Sequence, residues 1–200
     1  MIRTLAAILI ATVSSIALAQ APDAVVRVRG KVEKLDGNVL MVKTNDGKDV
    51  AVKMADNYMV TGVVRASVND IGAGKFIGTT TVGERDGALV ALEVHIFPES
   101  MRGTGEGHRD WDLKPNSKMT NANVADIKSM GKDHVLTVTY KGGEKKVLIP
   151  ETAVVVSYAP ADKSMLTPGT PVFLNTTRGA DGTLSAPRVN VGLNGQAPPM

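Results

Sequence analysis

The chain repeats itself. Without gaps, Asn38 to Met54 (NVLMVKTNDGKDVAVKM) lies over His134 to Pro150 (HVLTVTYKGGEKKVLIP) at an offset of 96 residues, and Ile71 to Ile96 lies over Leu166 to Val191 at an offset of 95. The second block carries the identities Gly74/Gly169, Thr81/Thr176, Asp86/Asp181, Gly87/Gly182, Leu89/Leu184, Ala91/Ala186 and Val94/Val189. Two blocks in the same order predict two copies of one unit, which limits the chain to architectures that use that unit twice.

The unit reads as strands. Val26, Val28 and Val32 alternate with Arg27, Arg29 and Lys31, Asp36-Gly37 turns the chain, Val39 to Thr44 returns, and Asp46-Gly47 leads into Val50-Ala51-Val52. Period-two alternation broken by Asp-Gly pairs is the signature of hairpins. A less regular stretch follows. Ser67 to Gly74 and its counterpart Lys163 to Gly169 predict a short helical turn closed by Gly, ahead of a fourth strand from Phe76 to Val82. Asp86-Gly87 and Asp181-Gly182 then predict tight hairpins into a fifth strand. Few aromatic residues among many Gly, Val and Thr fit this reading, as does a hydrophobic fraction of 43% with 22% charged residues, which excludes a largely disordered chain.

Five short strands with a longer excursion after the third is the order of an OB-like barrel, whose closure removes exposed edges. The predicted organisation is all-β: two tandem small five-stranded OB-like β-barrels, residues 20–97 and 123–192, joined by a Gly-rich spacer at 98–122 and followed by a flexible tail at 193–200. Pro171 and Pro187 predict edges or bulges in the last strands. The series VxVxGxV, a DG turn, GKxVxV, DIxxG and DGxLxAxxV resembles a family of exported bacterial tandem OB-like β-barrels of unknown function, across residues 26–97 and 123–192. That resemblance implies a periplasmic barrel protein and brings no catalytic residue with it.

The start of the chain supports export. Met1-Ile2-Arg3-Thr4, an apolar run from Leu5 to Ala17 and the sequence Ala17-Leu18-Ala19 have the order of a secretory signal peptide over residues 1–19, with cleavage near Ala19. The apolar run is shorter than a membrane-spanning helix requires, so no membrane span is expected. Arg3 is the only charged residue of that segment, and its removal takes the net charge from +3 to +2. So small an excess excludes a nucleic-acid partner. With no Cys anywhere, disulfides, thiol nucleophiles and thiolate metal sites are excluded too.

The spacer is where chemistry concentrates. It holds the single Trp of the chain and the run Glu106-Gly107-His108-Arg109-Asp110-Trp111-Asp112. If that run is extended, Glu106, His108, Asp110 and Asp112 share one face and form a candidate divalent-metal site, while Arg109 and Trp111 project the other way as ligand or interdomain contacts. The competing reading has Trp111 packed between the barrels and His108 as an ordinary hydrogen-bonded residue. Arg27, Arg29 and Lys31 form a cationic stripe, either a site for an anionic envelope component or a solvated face balanced by Glu33 and Glu93. His95, between Val94 and Ile96 and opposite Asn190 of the second copy, reads as a surface position; His134 falls in a hairpin turn. The methionines are scattered and read as core filling.

No nucleophile-base pair, phosphate loop or metalloprotease motif is present in the sequence. The sequence therefore predicts an exported, non-enzymatic binding or adaptor protein without a resident cofactor, acting on an unidentified protein or ligand. The alternative is a periplasmic divalent-metal accessory protein that uses the spacer.

Overall fold

The structure, a computed structural model, describes residues 25–200; the export segment expected at residues 1–19 lies outside the described residues. Twelve strands follow in order: β1 (Val25–Asp36), β2 (Val39–Thr44), β3 (Asp49–Arg65), β4 (Phe76–Arg85), β5 (Ala88–Ile96), β6 (Gly107–Asp110), β7 (Lys118–Met130), β8 (Asp133–Tyr140), β9 (Gly143–Ile149), β10 (Val154–Pro160), β11 (Pro171–Arg178) and β12 (Leu184–Gly192). Among the described residues no helix is long and apolar enough to cross a membrane.

Alternation does its expected work in the first meander. Val28, Val32, Leu40, Val42, Val52 and Met54, every second residue of β1, β2 and the start of β3, are buried in one apolar cluster. The hairpin that closes these strands into a five-stranded barrel is not the next one in the chain. β11 pairs antiparallel with β1 from Val25↔Thr177 to Lys31↔Pro171, and β12 runs parallel to β3 from Leu184↔Val52 to Gly192↔Val63.

The hairpin β4–β5 goes elsewhere. β4 pairs with β7 from Phe76↔Asn123 to Thr81↔Lys118, and β5 meets β9 in parallel at Leu89↔Val147 and Val90↔Leu148. With β7–β8 and β8–β9 paired antiparallel, β4, β5, β9, β8 and β7 form a second ring in the same pairing order. Its core, around Ile77, Val94, Leu136 and Val147, is separate from the first. Each ring thus combines three strands of one repeat with the final hairpin of the other.

This corrects the expected boundaries, since neither 20–97 nor 123–192 contains a complete ring. The physical reason is β3. The irregular stretch expected after Val52 is instead unbroken strand to Arg65, because Met59 to Val63 pair with β12 and Thr61 to Arg65 pair with β10. The chain is carried over to the other ring before it can turn back. β10 bridges the rings, antiparallel to β3 and parallel to β5. The two short helical turns follow the exchange: Ile71, after the turn Val68–Asp70, packs in the second core, and Leu166, after Lys163–Met165, packs in the first.

Two other expectations change. The 98–122 segment is partly built into the sheet, with β6 paired to β7 from Gly107↔Asn121 to Asp110↔Lys118. The tail at 193–200 is docked: the Leu193 N–H donates to the Val63 carbonyl, and Met200 is buried beside Met119 and Phe173. Pro171 opens β11, and Pro187 lies where the β12 register shifts between Ala186 and Arg188.

The two Asp-Gly turns differ. Asp86 (φ 53°) and Gly87 (φ 76°) form a two-residue turn between the paired Arg85 and Ala88, with both φ values positive as a type I′ turn demands. Asp181 and Gly182 lie instead in the longer loop between the paired Arg178 and Leu184, so this hairpin is wider than expected. Gly87→Val forces a β-branched residue into the left-handed region and is expected to lower stability by about 1–3 kcal/mol, read as a shift in the urea midpoint at unchanged slope.

Candidate functional site

Where the rings meet, the side chains that point away from both cores face each other. The meeting is built on register. On β5, Glu93 and His95 stand beside Val154 and Val156 of β10, while on β12, Arg188 and Asn190 stand beside Met59 and Thr61 of β3. Glu93 and His95 are thus the repeat counterparts of Arg188 and Asn190. His95, Arg188 and Asn190 line an opening of about 180 Å³ together with Asn121, Arg109 and Trp111, while Glu93 is buried against His95.

Glu93 and His95 are 1% and 3% exposed. The Glu93 carboxylate accepts hydrogen bonds from the Thr80 N–H (2.9 Å) and the Thr80 hydroxyl (2.6 Å) through Oε1, and its Oε2 lies 3.0 Å from His95 Nδ1. The His95 ring fits because residue 78 is Gly: a Cβ there would lie 2.0 Å from His95 Nε2 and 2.6 Å from Asn121 Oδ1. The equivalent pair on the other ring reverses the sizes, with Phe173 beside Asn190. Around His95 stand Phe97, 4.9 Å away between ring centroids, and Tyr158, 6.0 Å away. Burial, reinforced by the nearby Glu93 charge, raises the Tyr158 phenol well above its ordinary value, so it remains a neutral donor.

Several buried polar atoms here have no hydrogen-bond partner among the described residues. They include Asn121 Oδ1, Asn190 Oδ1 and Trp111 Nε1, all on residues that line the cleft. Asn121 is held in place by its amide nitrogen, which donates to the Thr104 carbonyl at 2.9 Å, leaving its oxygen unanswered.

The spacer residues divide. Trp111 lies between the rings, packed with Tyr158, Phe173 and Met119, with the Arg27 guanidinium 3.7 Å and the Arg109 guanidinium 5.5 Å from its ring centroid. The four expected metal ligands are not brought together, and no group of three His, Asp or Glu suited to a metal exists among the described residues. The extended run covers only Gly107–Asp110, so the alternation that was to align them breaks at both ends. Glu106 accepts from the Lys141 N–H at 3.0 Å, His108 Nδ1 lies 2.8 Å from the Thr120 hydroxyl and stacks on Tyr140, Asp110 pairs with Lys118, and Asp112 turns to β1. Burial and the charges of Lys145 and Lys118 lower the His108 pKa below its ordinary value.

The cationic stripe is likewise divided. Arg29 pairs with Asp112 at 2.6 Å and Arg27 at 3.3 Å, while Lys31 is exposed without an ion pair among the described residues. Burial pushes the Asp112 carboxyl up, but the hydrogen bond and charge of Arg29, with Arg27, outweigh it and hold the group below its ordinary range. Glu93 was expected to balance this stripe on the surface; it is buried in the other ring's hairpin and serves Thr80 and His95 instead. Arg109 donates to the Gly105 carbonyl at 2.6 Å, and Arg188 approaches only the Met101 and Met59 sulfurs at 3.9 Å. Neither has a carboxylate partner among the described residues, and burial, with the Arg27 charge, presses against the charged state of Arg109.

Sequence reasoning missed Glu93, His95, Asn121, Arg188 and Asn190. The outward face of a barrel strand was read as solvated, whereas the second ring covers it. The available signal was the repeat alignment itself, which sets Glu93 against Arg188 and His95 against Asn190 on strands whose neighbouring residues are core. None of the protein-family models, curated proteins or solved structures compared with this chain matches it.

Proposed function

We propose that this chain is a non-enzymatic binding protein that works outside the cytoplasm and holds a small ligand in the cleft between the rings. One observation carries the reading: Asn121 Oδ1, Asn190 Oδ1 and Trp111 Nε1, buried and without a partner among the described residues, all belong to residues that line one cleft. A buried polar atom without a partner costs about 1–3 kcal/mol, and such atoms are rare in folded proteins. Three in one cleft are the complement of a hydrogen-bonding guest. The location outside the cytoplasm rests on the signal-like order of Met1 to Ala19. At about 180 Å³ the cleft is below the ~300 Å³ lower end of drug-sized sites, which suits a small metabolite.

Native mass spectrometry of gently purified protein, with a thermal-shift screen of small polar metabolites, tests this. A ligand at one hundred times its Kd stabilises by about 2.7 kcal/mol, which raises the Tm of a chain of this size by roughly 5–10 °C. The expected result is a bound small molecule or such a shift, lost in a folded Asn121→Leu/Asn190→Leu variant. A protein that carries no adduct and responds to nothing in the screen would overturn the proposal.

A further inference from the structure

Resting on that reading, we infer that the cleft takes a small carboxylate that also carries hydroxyl or ammonium donors. Charge points to the anionic end. Arg109 and Arg188 line the cleft, Arg27 and Arg29 lie over the Trp111 and Phe173 rings that also line it, and no acidic side chain among the described residues lines it, Asp112 being engaged by Arg27 and Arg29 and Glu93 by Thr80 and His95. Arg109 and Arg188 are half-buried, line the opening and have no acidic partner among the described residues. A guanidinium fork matches a carboxylate in shape and gains a charge-assisted bond from it. The free Trp111 Nε1–H is a further donor for the same group.

The remaining demand is of the opposite kind. Asn121 Oδ1 and Asn190 Oδ1 are acceptors, and they need donors from the guest. A molecule with acceptors alone, such as sulfate, would leave both unanswered. A hydroxy acid or an amino acid answers both sets, with its short carbon skeleton against Phe97, Phe173 and Met119. Arg188 stands where the other repeat has Glu93, and Asn190 where it has His95, so the two copies have diverged at the positions that give the cleft its two polar ends.

The test is calorimetric titration of the whole mature chain with a panel of three- to five-carbon hydroxy and amino acids, their matching amides, glycerol and sulfate, with Trp111 fluorescence as a second readout. At least one carboxylate is expected to bind at least tenfold more tightly than its amide and than glycerol. Arg109→Gln/Arg188→Gln should remove that preference, with an unchanged circular-dichroism spectrum and urea midpoint showing that the fold persists. If amides or glycerol bind as well as the carboxylates, or sulfate binds in their place, the inference falls while the cleft remains a ligand site. If nothing in the panel or the wider screen binds, the binding reading falls with it.

Discussion

Glu93→Ala is expected to lower the unfolding free energy by about 3–5 kcal/mol, a large part of what a domain-sized protein has. The reason is local. β4 and β5 lose register between Thr80 and Thr81, and there the Thr80 N–H donates to the Glu93 side chain. The carboxylate also receives the Thr80 hydroxyl and sits against His95, all within a site that is almost fully shielded from water. Alanine leaves three polar groups unanswered and a cavity behind them, and each orphan carries its full desolvation penalty. Glu93→Gln keeps an acceptor for Thr80 and a polar group against His95, so its loss should stay within about 1 kcal/mol, the size of a typical net hydrogen bond. Equilibrium urea denaturation of both variants reads the difference. Equal losses would show that the carboxylate itself matters and that the volume and single oxygen kept by glutamine do not; a loss below about 1 kcal/mol for alanine would remove Glu93 from the structural account.

Much of the strand content was legible and the strand partners were not. Alternation of Val26, Val28 and Val32 against arginine and lysine located β1 and its buried face, and Asp-Gly pairs located three of its turns. Pairing is different in kind. Two repeat copies offer β1 two equivalent hairpins, β4–β5 and β11–β12, with the same pattern and the same Asp-Gly element, so periodicity cannot choose between them. What chooses is a length: Ala55 to Arg65 contains no tight turn, and a 17-residue β3 delivers the chain to the far ring. Residues such as Tyr58, Val60 and Val63, which pack into a core or pair along β12 and β10, carried that information as strand propensity over a stretch read as irregular.

The candidate site was misplaced for the same reason. Trp111 was singled out because burying a lone indole in a Gly-rich segment is favourable, and in the structure it packs against Met119 and Phe173. His108, read as one of four metal ligands on a shared face, instead stacks on Tyr140. The residues that do share the cleft with Trp111 come from β5, β6, β7, β10, β11 and β12, far apart in sequence, and become neighbours only once the hairpins are exchanged. A reading that assigns each hairpin to its own repeat leaves Glu93 and Arg188 on unrelated surfaces.

The exchange has a consequence that a single cut exposes. A protease recognition sequence placed in the exposed stretch Lys114–Pro115–Asn116 severs the chain between the repeats. In a plain tandem arrangement the products would be two independent domains that part on a sizing column. Here the cut separates β1 to β6 from β7 to β12, and every ring straddles it: β1–β11 and β3–β12 on one side, β4–β7 and β5–β9 on the other, with β10 paired to both β3 and β5. Neither fragment can bury its apolar face alone, since each holds a three-stranded meander without its closing hairpin. The cleaved protein is therefore expected to elute as one species with its circular-dichroism spectrum intact, to fall apart only in denaturant, and to show a concentration-dependent midpoint thereafter, because folding has become an association. Cleaved halves that separate while folded would mean that each repeat closes on itself. The cleft would then have no walls, since its lining is drawn from both fragments across the pairings that the cut tests.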